Sequence, residues 1–223
     1  TLVIAPPEVT AGPPLEQIIA DQKVTHLLST PSVLSTLDPD ALPHVQVVGV
    51  GGEALHAHTA APWLRERTFI NAYGLTETTI VATLAEIGDG PVTLGRPIPG
   101  TTVEVLDAQL RAVPDGGIGE LYISGTSVAR RYLEDSENTA TRFIAAPGGT
   151  VRYRTGDLVQ RRADGQLVYL GRRDRQVQIH GIRTELAALE TALTSVPGVS
   201  AAAVIERDGQ LCGYIVGDAH PDE

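Results

Sequence analysis

The change of hydrophobic pattern near Pro91 constrains the fold of this 223-residue chain more than any other feature of its sequence. Before Pro91, apolar runs such as "VQVVGVGG" end in glycines and alternate with segments of helical pattern, which is typical of a mostly parallel sheet in an α/β layer. One short run, "VTHLL", is expected to be a buried strand. Beyond Pro91, alternating strands such as "TTVEVLD" and "GELYISG" are separated by "PDGG" and "ADGQ" turns, which indicates an antiparallel β region.

A third pattern follows "GRRDRQ" and indicates a separate C-terminal region. "ELAALETAL" has apolar residues at helical spacing, while "VSAAAVIER" and "LCGYIV" have the composition of strands joined by a turn at "RDGQ". We therefore place a domain boundary near Asp174. The single cysteine, Cys212, lies in the last of these strands, so the sequence excludes an internal disulfide framework and a thiolate metal cluster.

The charge balance argues against nucleic acid as a partner. Lysine and arginine total 17 against 27 acidic residues, so the chain as a whole would repel a phosphate polymer. An arginine-dense stretch from Arg152 to Arg183 is the exception, and it indicates either a solvated face or a site for a small anion. The sequence has no run of about 18 apolar residues and no secretory signal pattern, so we expect neither a membrane span nor export. A cytoplasmic location is the default expectation.

The stretch "NAYGLTETT", residues 71 to 79, has the residue types of a nucleotide site. It follows a predicted strand, and ligands of open α/β sheets bind at the carboxyl ends of strands. Its glycine lets the backbone approach a ligand, and Tyr73 offers a stacking face. The hydroxyls of Thr76 and Thr78 could bond phosphate oxygens, while Glu77 supplies the hard oxygen ligand that Mg²⁺ prefers. A plain turn of similar composition is the structural alternative.

Two later stretches add to this interpretation. In "YRTGDL", Asp157 follows a glycine and offers two acceptor oxygens to a ribose diol. In "GRRDRQVQIHGIRTEL", Arg172 could meet phosphate or ribose, and Asp174 and Gly181 flank a change of pattern suited to a hinge. Each stretch alone is equally compatible with solvated turn residues.

The order of these stretches resembles the adenylation domains of nonribosomal peptide synthetases, within the adenylate-forming family that includes acyl-CoA ligases and luciferases. "NAYGLTETT", "PIPGTTVEVLD", "GELYISGTSVARRYL", "YRTGDL" and "ADGQLVYLGRRDRQVQIHGIRTEL" all occur in that family's order, and they cover essentially the whole chain. The resemblance implies the C-terminal portion of an adenylate-forming core. Residues 1–90 would end its α/β sheet subdomain, residues 91–173 would form a distorted, β-barrel-like subdomain, and residues 174–223 would form a hinge and part of a small α+β lid.

The resemblance also implies an activity for the parent protein, a modular synthetase of a secondary metabolite. Such a domain activates an amino acid with ATP and Mg²⁺ as an acyl-adenylate, and the phosphopantetheine thiol of a peptidyl carrier protein domain then takes the acyl group. Neighbouring synthetase domains would be further partners. The implied roles are stacking near the adenine by Tyr73, seating of the adenine by Asn71, α-phosphate contact by Thr76, Mg²⁺ binding by Glu77, binding of the ribose hydroxyls by Asp157, a place along the ribose for Tyr169, nucleotide contact by Arg172, and the hinge at Asp174. Gly74 is a further implied cofactor-binding residue.

A substrate pocket is implied by further matching positions, all of them small or apolar. They are Leu28, Gly49, Gly51, Ala72, Ile80 and Val81. A charged substrate side chain would lose its hydration there without gaining a partner, so a small or medium apolar amino acid is favoured. Core packing of these residues is the structural alternative.

The sequence also departs from the family pattern. A phosphate loop ending in Pro-Lys-Gly is expected upstream of Thr1 and a catalytic lysine beyond Glu223, so the chain alone is expected to be inactive. Further substitutions within the motifs are Leu75 for the commoner proline, Ser127 and Arg131 for glycines, and Gln178 and His180 for basic residues after the hinge. The last two weaken the expectation for the thiol-transfer conformation.

Two other functions remain open at this point. One is a catalytically silent adenylation module kept for binding or scaffolding. The other is an acyl-CoA ligase that acts on a free acid.

Overall fold

In the computed structural model, which describes residues 1–179, 181–207 and 210–218, the chain divides into two units after Arg173. The first unit is Thr1–Arg173 and contains two sheets. The second unit begins at Asp174. Within the described ranges, no helix has both the length and the apolar character that a bilayer crossing requires.

The first sheet has five strands in the spatial order β1 to β5, which is also their order in the sequence. The pairs β1–β2 and β2–β3 are parallel, whereas β3–β4 and β4–β5 are antiparallel. This confirms the α/β class, with parallel pairing confined to the first three strands. The elements are α1 (Gly12–Asp21), β1 (His26–Ser29), α2 (Pro31–Leu34), β2 (Val47–Gly51), α3 (Ala57–Ala60), β3 (Thr68–Tyr73), β4 (Thr83–Ile87) and β5 (Arg96–Pro97).

One face of this sheet carries the first core. Val48, Val50 and Phe69 are buried there together with Trp63 and residues of the helices. The opposite face carries Leu28, whose side chain is 86% exposed. The expectation that "VTHLL" forms a buried strand is therefore wrong, because β1 is an edge strand that packs on one face only.

The second sheet is antiparallel throughout and has the strand order β10, β9, β7, β6, with β8 paired to β9. Its core includes Leu121, Ile123 and Val159, and Ala82 and Leu94 pack against it. The predicted boundary between residues 90 and 91 stays a prediction, since both sheets lie in one unit. The elements are β6 (Thr101–Leu106), β7 (Ile118–Gly125), α4 (Ser136–Arg142), β8 (Phe143–Ala145), β9 (Val151–Arg161) and β10 (Leu167–Arg172).

In its described residues, the second unit has two antiparallel strand pairs and one helix. Glu190 of the helix connects both pairs, because its carboxylate accepts hydrogen bonds from Arg175 at 2.7 and 2.9 Å and from the Val204 N–H at 2.8 Å. The turn predicted at "RDGQ" falls on Asp208 and Gly209, which lie outside the described residues. The elements are β11 (Gln176–Ile179), β12 (Ile182–Glu185), α5 (Leu186–Thr194), β13 (Val199–Arg207) and β14 (Gln210–Gly217).

A buried ion cluster stabilises the second sheet around Glu120 of β7. Glu120 is 3% exposed, and its carboxylate accepts two hydrogen bonds from Arg154, at 2.8 and 3.0 Å, and one from Arg173 at 3.1 Å. Burial alone would raise the pKa of Glu120, but the hydrogen bonds and charges of Arg154 and Arg173 outweigh it and hold that pKa below its usual value. Glu120 therefore favours the ionised form in the folded chain.

Acid should remove this contribution to stability. A carboxyl group whose pKa is lower in the folded state stabilises the fold above its unfolded pKa, and the contribution is lost as the pH falls through the folded pKa. We expect Glu120→Gln to lower the free energy of unfolding by about 1–3 kcal/mol at pH 7. The loss should shrink between pH values of about 5 and 3. Urea unfolding at several pH values measures both effects, and Glu86→Gln, an exposed residue of β4, is the control. The prediction would be contradicted if the free energy of unfolding changed with pH equally in the wild type and in Glu120→Gln.

Candidate functional site

Three predicted site residues, Tyr73, Asp157 and Arg172, come from three separate motifs and are joined by hydrogen bonds. The guanidinium of Arg172 donates from Nη1 to Asp157 Oδ1 at 2.6 Å, and the hydroxyl of Tyr73 donates to Asp157 Oδ2. Arg172 also donates from Nη2 to the Thr155 carbonyl oxygen at 3.0 Å. Asp157 is 3% exposed, and the side chain of Arg172 is 12% exposed. The three residues thus form a largely buried, charge-paired cluster.

Local sequence explains how "TGD" presents this carboxylate. Thr155 is buried, and its hydroxyl donates to the Leu121 carbonyl oxygen at 2.8 Å while accepting the Asp157 N–H at 3.0 Å. Gly156 has a φ of +82°, a left-handed conformation that glycine adopts without steric cost. Its carbonyl oxygen accepts the N–H of Arg173 at 2.8 Å. Threonine therefore anchors the strand, glycine bends it, and aspartate follows with its side chain in the cluster.

Tyr73 acts as a hydrogen-bond donor in this cluster. Burial is the main cause that raises the pKa of Tyr73 well above its usual value, and the negative charge of Asp157 and the hydrogen bond to it add to the effect. The hydroxyl therefore stays protonated at neutral pH. Because a carboxylate has about four lone-pair sites, Asp157 can accept further hydrogen bonds beside those from Tyr73 and Arg172.

The turn after β3 requires glycine at position 74. A Cβ atom there would lie 2.3 Å from the Ile80 carbonyl oxygen and 2.8 Å from the Ala82 nitrogen, both of them backbone atoms. The chain folds back tightly because the Ala82 N–H donates to the Tyr73 carbonyl oxygen at 2.7 Å. Thr76 lies in this turn with its residue surface exposed. The turn thus joins the end of β3 tightly to the chain at Ala82 and leaves Thr76 exposed.

Glu77 lies in the same turn but is buried, with 7% exposure. Its Oε1 atom accepts hydrogen bonds from the hydroxyls of Tyr132, at 2.5 Å, and Tyr153, at 2.8 Å. Neither tyrosine was predicted as a site residue from the sequence, although both lie in the motifs. Among the residues that the structure describes, no group of three or more His, Cys, Asp or Glu side chains could hold a metal ion. A metal at Glu77 would therefore take most of its ligands from a bound nucleotide and water.

The predicted pocket residues divide into two groups. Leu28 pairs with Gly49 and Gly51 pairs with Ala72 in the parallel registers, so these four share one face of the first sheet. A Cβ atom at Gly49 would lie 2.5 Å from Leu28 Cδ2, so glycine leaves room for that side chain. The second group, Ile80 and Val81, belongs to the turn after β3, and Ile80 is 78% exposed. Since Ala72 and Tyr73 alternate along β3, the four sheet positions of the predicted pocket lie on the side of that strand opposite to the Tyr73 side chain.

The remaining predicted residues lie further from these clusters or make other contacts. The carboxamide of Asn71 is buried and donates to the Thr93 carbonyl oxygen at 2.8 Å. Tyr169 lies opposite Val159 in the β9–β10 ladder and packs against the second core. Asp174 is the first residue of the second unit, and its carboxylate accepts the Gln176 N–H at 3.4 Å. His180 lies outside the described residues.

Comparison with known proteins supports the same family from sequence. A family model described as "AMP-binding enzyme" matches residues 1–133. The chain is 43% identical to novobiocin biosynthesis protein H of Streptomyces niveus, over 97% of this chain and 38% of that protein. It is 42% identical to bacitracin synthase 3 of Bacillus licheniformis, over 94% of this chain and 3% of that protein. The chain thus spans well under half the length of these relatives.

Solved structures agree with the sequence relatives. PA1221, a nonribosomal peptide synthetase protein with adenylation and PCP domains bound to a vinylsulfonamide inhibitor, has a TM-score of 0.84 and 30% identity, over 93% of this chain and 40% of that one. The Vibrio cholerae adenylation domain AlmE, in complex with glycyl-adenosine-5'-phosphate, also has a TM-score of 0.84 and 30% identity, over 93% of this chain and 44% of that one.

Proposed function

The chain belongs to the AMP-binding enzyme family, in the branch of nonribosomal peptide synthetase adenylation domains, and we propose that it helps to activate an amino acid with ATP. The amino-acid carboxylate attacks the α-phosphorus, and the bond from that phosphorus to the pyrophosphate leaving group breaks. A phosphopantetheine thiol of a carrier domain then attacks the carbonyl carbon of the aminoacyl-adenylate, the bond to AMP breaks, and the aminoacyl group is held as a thioester while AMP and the thiol proton are released. Because the chain spans only part of the length of its relatives, we propose the reaction for the whole protein and not for this chain alone.

The Tyr73–Asp157–Arg172 cluster is the observation that carries this proposal. The three residues come from three separate motifs, and direct hydrogen bonds join both oxygens of the Asp157 carboxylate to the other two. Burial of an unpaired carboxylate is costly, and here Tyr73 and Arg172 supply its partners and hold the Asp157 side chain in a defined orientation. We assign Asp157 as the acceptor for ribose hydroxyls and the Tyr73 ring as the adenine-stacking face.

The other residues receive roles from their positions. Thr76, exposed at the turn after β3, would donate its hydroxyl to the α-phosphate. Arg172 is oriented by Asp157 and by the Thr155 carbonyl oxygen, so its guanidinium plane is fixed beside the ribose position. Asn71 and Gly74 would shape the adenine site, Tyr169 would lie along the ribose, and Asp174 would serve as the hinge of the second unit.

Glu77 has the donor chemistry that Mg²⁺ requires. It is a carboxylate at the same turn as Thr76, and the hydroxyls that contact it carry no positive charge that would compete with a cation. We assign Glu77 as the protein ligand of Mg²⁺, which when bound would neutralise charge on the phosphates. The role of the chain is to keep this carboxylate at the turn.

The pocket face supports a small or medium apolar amino acid as substrate. Leu28, Gly49, Gly51, Ala72, Ile80 and Val81 bring no charged group to it. Discrimination against charged side chains would follow from desolvation, since a charge placed on this face gains no partner from these positions. The carrier partner is proposed by analogy with PA1221, whose structure contains adenylation and PCP domains.

Pyrophosphate exchange tests this function in the intact protein that contains the chain. We expect incorporation of labelled pyrophosphate into ATP that depends on an aliphatic amino acid and is at least about tenfold slower with Asp, Glu, Lys or Arg. Exchange that depends on a fatty or aryl acid instead would favour an acyl-CoA ligase. A protein that binds an aminoacyl-adenylate analogue but exchanges with no acid would favour a silent module.

A further inference from the structure

Glu77 is held by two tyrosines that lie far from it in the sequence. Tyr132 follows β7, and Tyr153 lies in β9 with its side chain fully buried. Both hydroxyls donate to the same carboxylate oxygen, Oε1, and the two hydroxyl oxygens are 3.1 Å apart. We propose that Tyr132 and Tyr153 are positioning residues that orient the Glu77 carboxylate toward the metal of a bound nucleotide. This inference rests on the proposed function.

The rings of the two tyrosines are fixed by packing. Phe143 contacts both rings, with its ring centroid 5.2 Å from that of Tyr132 in an edge-on arrangement and 5.1 Å from that of Tyr153. Such aromatic pairs favour defined geometries. Contact with Phe143 and the full burial of Tyr153 restrict the two hydroxyl positions, so the Glu77 side chain is oriented by groups that are themselves held in place.

The main chain of the same region is attached to the turn that carries Glu77. The Ala129 N–H donates to the Glu77 carbonyl oxygen at 2.8 Å, and the Thr79 hydroxyl donates to the Ser127 carbonyl oxygen at 2.7 Å. The segment from Ser127 to Tyr132 thus contacts both the backbone and the side chain of Glu77. Its departures from the family's glycines, at positions 127 and 131, do not prevent this contact.

Tyrosine suits this role because it donates a hydrogen bond without supplying a charge. An arginine at the same place would pair with Glu77 and reduce its attraction for a cation, whereas two hydroxyls leave the net charge of the carboxylate intact. Groups that hydrogen-bond a metal ligand in this way tune its affinity for the metal.

Metal binding tests the inference separately from turnover. We would titrate the intact protein with Mn²⁺, which prefers the same oxygen ligands as Mg²⁺, in the presence of α,β-methylene-ATP, and follow binding by electron paramagnetic resonance. Tyr132→Phe and Tyr153→Phe should each weaken Mn²⁺ binding several-fold, and the double variant should weaken it about tenfold or more. AMP binding without metal should stay within about twofold, because the Asp157 cluster is untouched.

Tyr122→Phe is the matched control. Tyr122 is also a buried tyrosine of the second sheet, but its hydroxyl lies 3.5 Å from Glu120 and makes no contact with Glu77 among those described. Unchanged Mn²⁺ affinity in the double variant would overturn the inference, and so would an equal loss of Mn²⁺ and AMP affinity or an equal effect of Tyr122→Phe. If the double variant weakens Mn²⁺ binding while the wild type shows no exchange with any acid, the inference stands and the proposed function fails.

Discussion

Replacing Asp157 by asparagine is expected to lower amino-acid-dependent pyrophosphate exchange by about 100-fold or more. Asparagine keeps the shape of aspartate but replaces one acceptor oxygen by an NH₂ donor. In this cluster the donor would face either the Tyr73 hydroxyl or the Arg172 guanidinium, both of which donate in the wild type. The ribose would also lose an acceptor. The loss should appear in kcat/KM for ATP, measured in the intact protein.

The same substitution should also lower stability, and a double variant separates this effect from the loss of exchange. The Asp157 and Arg172 side chains are 4% and 12% exposed, so removal of one charge leaves the other largely buried and unpaired. We expect the free energy of unfolding to fall by about 3–5 kcal/mol. The double variant Asp157→Asn/Arg172→Met removes both charges and should recover part of that stability without recovering exchange.

Asp164→Asn is the matched control for Asp157→Asn. Asp164 lies in an exposed turn, where it pairs with Arg162 and accepts the Gln166 N–H. Its substitution should change exchange by less than about twofold, since an exposed ion pair contributes little. Near-normal exchange in Asp157→Asn would remove the central support for the nucleotide site. Recovery of exchange in the double variant would show that Asp157 serves only to balance the buried charge of Arg172.

Replacing Gly74 by alanine is expected to disrupt the turn after β3. The added methyl group would lie 2.3 Å from the Ile80 carbonyl oxygen, so the backbone on one side of the turn has to move. We expect a loss of about 1–3 kcal/mol in the free energy of unfolding. Because displacement of about 1 Å at a site can reduce the rate about 100-fold, exchange should fall by a similar factor. Urea unfolding and the exchange assay measure the two effects.

Gly88→Ala provides the control for glycine substitution. No atom lies within 4 Å of the position that its Cβ would occupy, so the methyl group enters open space. Its stability and exchange should stay close to those of the wild type. A Gly74→Ala variant that resembles Gly88→Ala in both measurements would contradict the steric argument and the role of the turn.

Much of the site could be predicted from sequence because the residues that carry it lie in ordered motifs. "TGD" places a carboxylate directly after a glycine, and the structure adds that Gly156 bends the backbone there with a φ of +82°. Motif order could not reveal that Tyr132 and Tyr153 meet at Glu77, since 55 and 76 residues separate them from it. Strand burial was also misjudged for "VTHLL", because an apolar run does not say whether its strand lies at a sheet edge.

The sequence by itself determined the α/β class and the change to antiparallel strands, because hydrophobic period and turn chemistry act locally along the chain. The family followed from the resemblance of the ordered motifs to those of adenylation domains. Only the tertiary structure decided which side chains donate hydrogen bonds to each of the buried carboxylates. It paired Asp157 with Tyr73 and Arg172, Glu77 with two tyrosine hydroxyls, and Glu120 with two arginines. The physical reason is that a buried charge requires donors within hydrogen-bond distance, and strand register and turn geometry, rather than sequence proximity, bring those donors together.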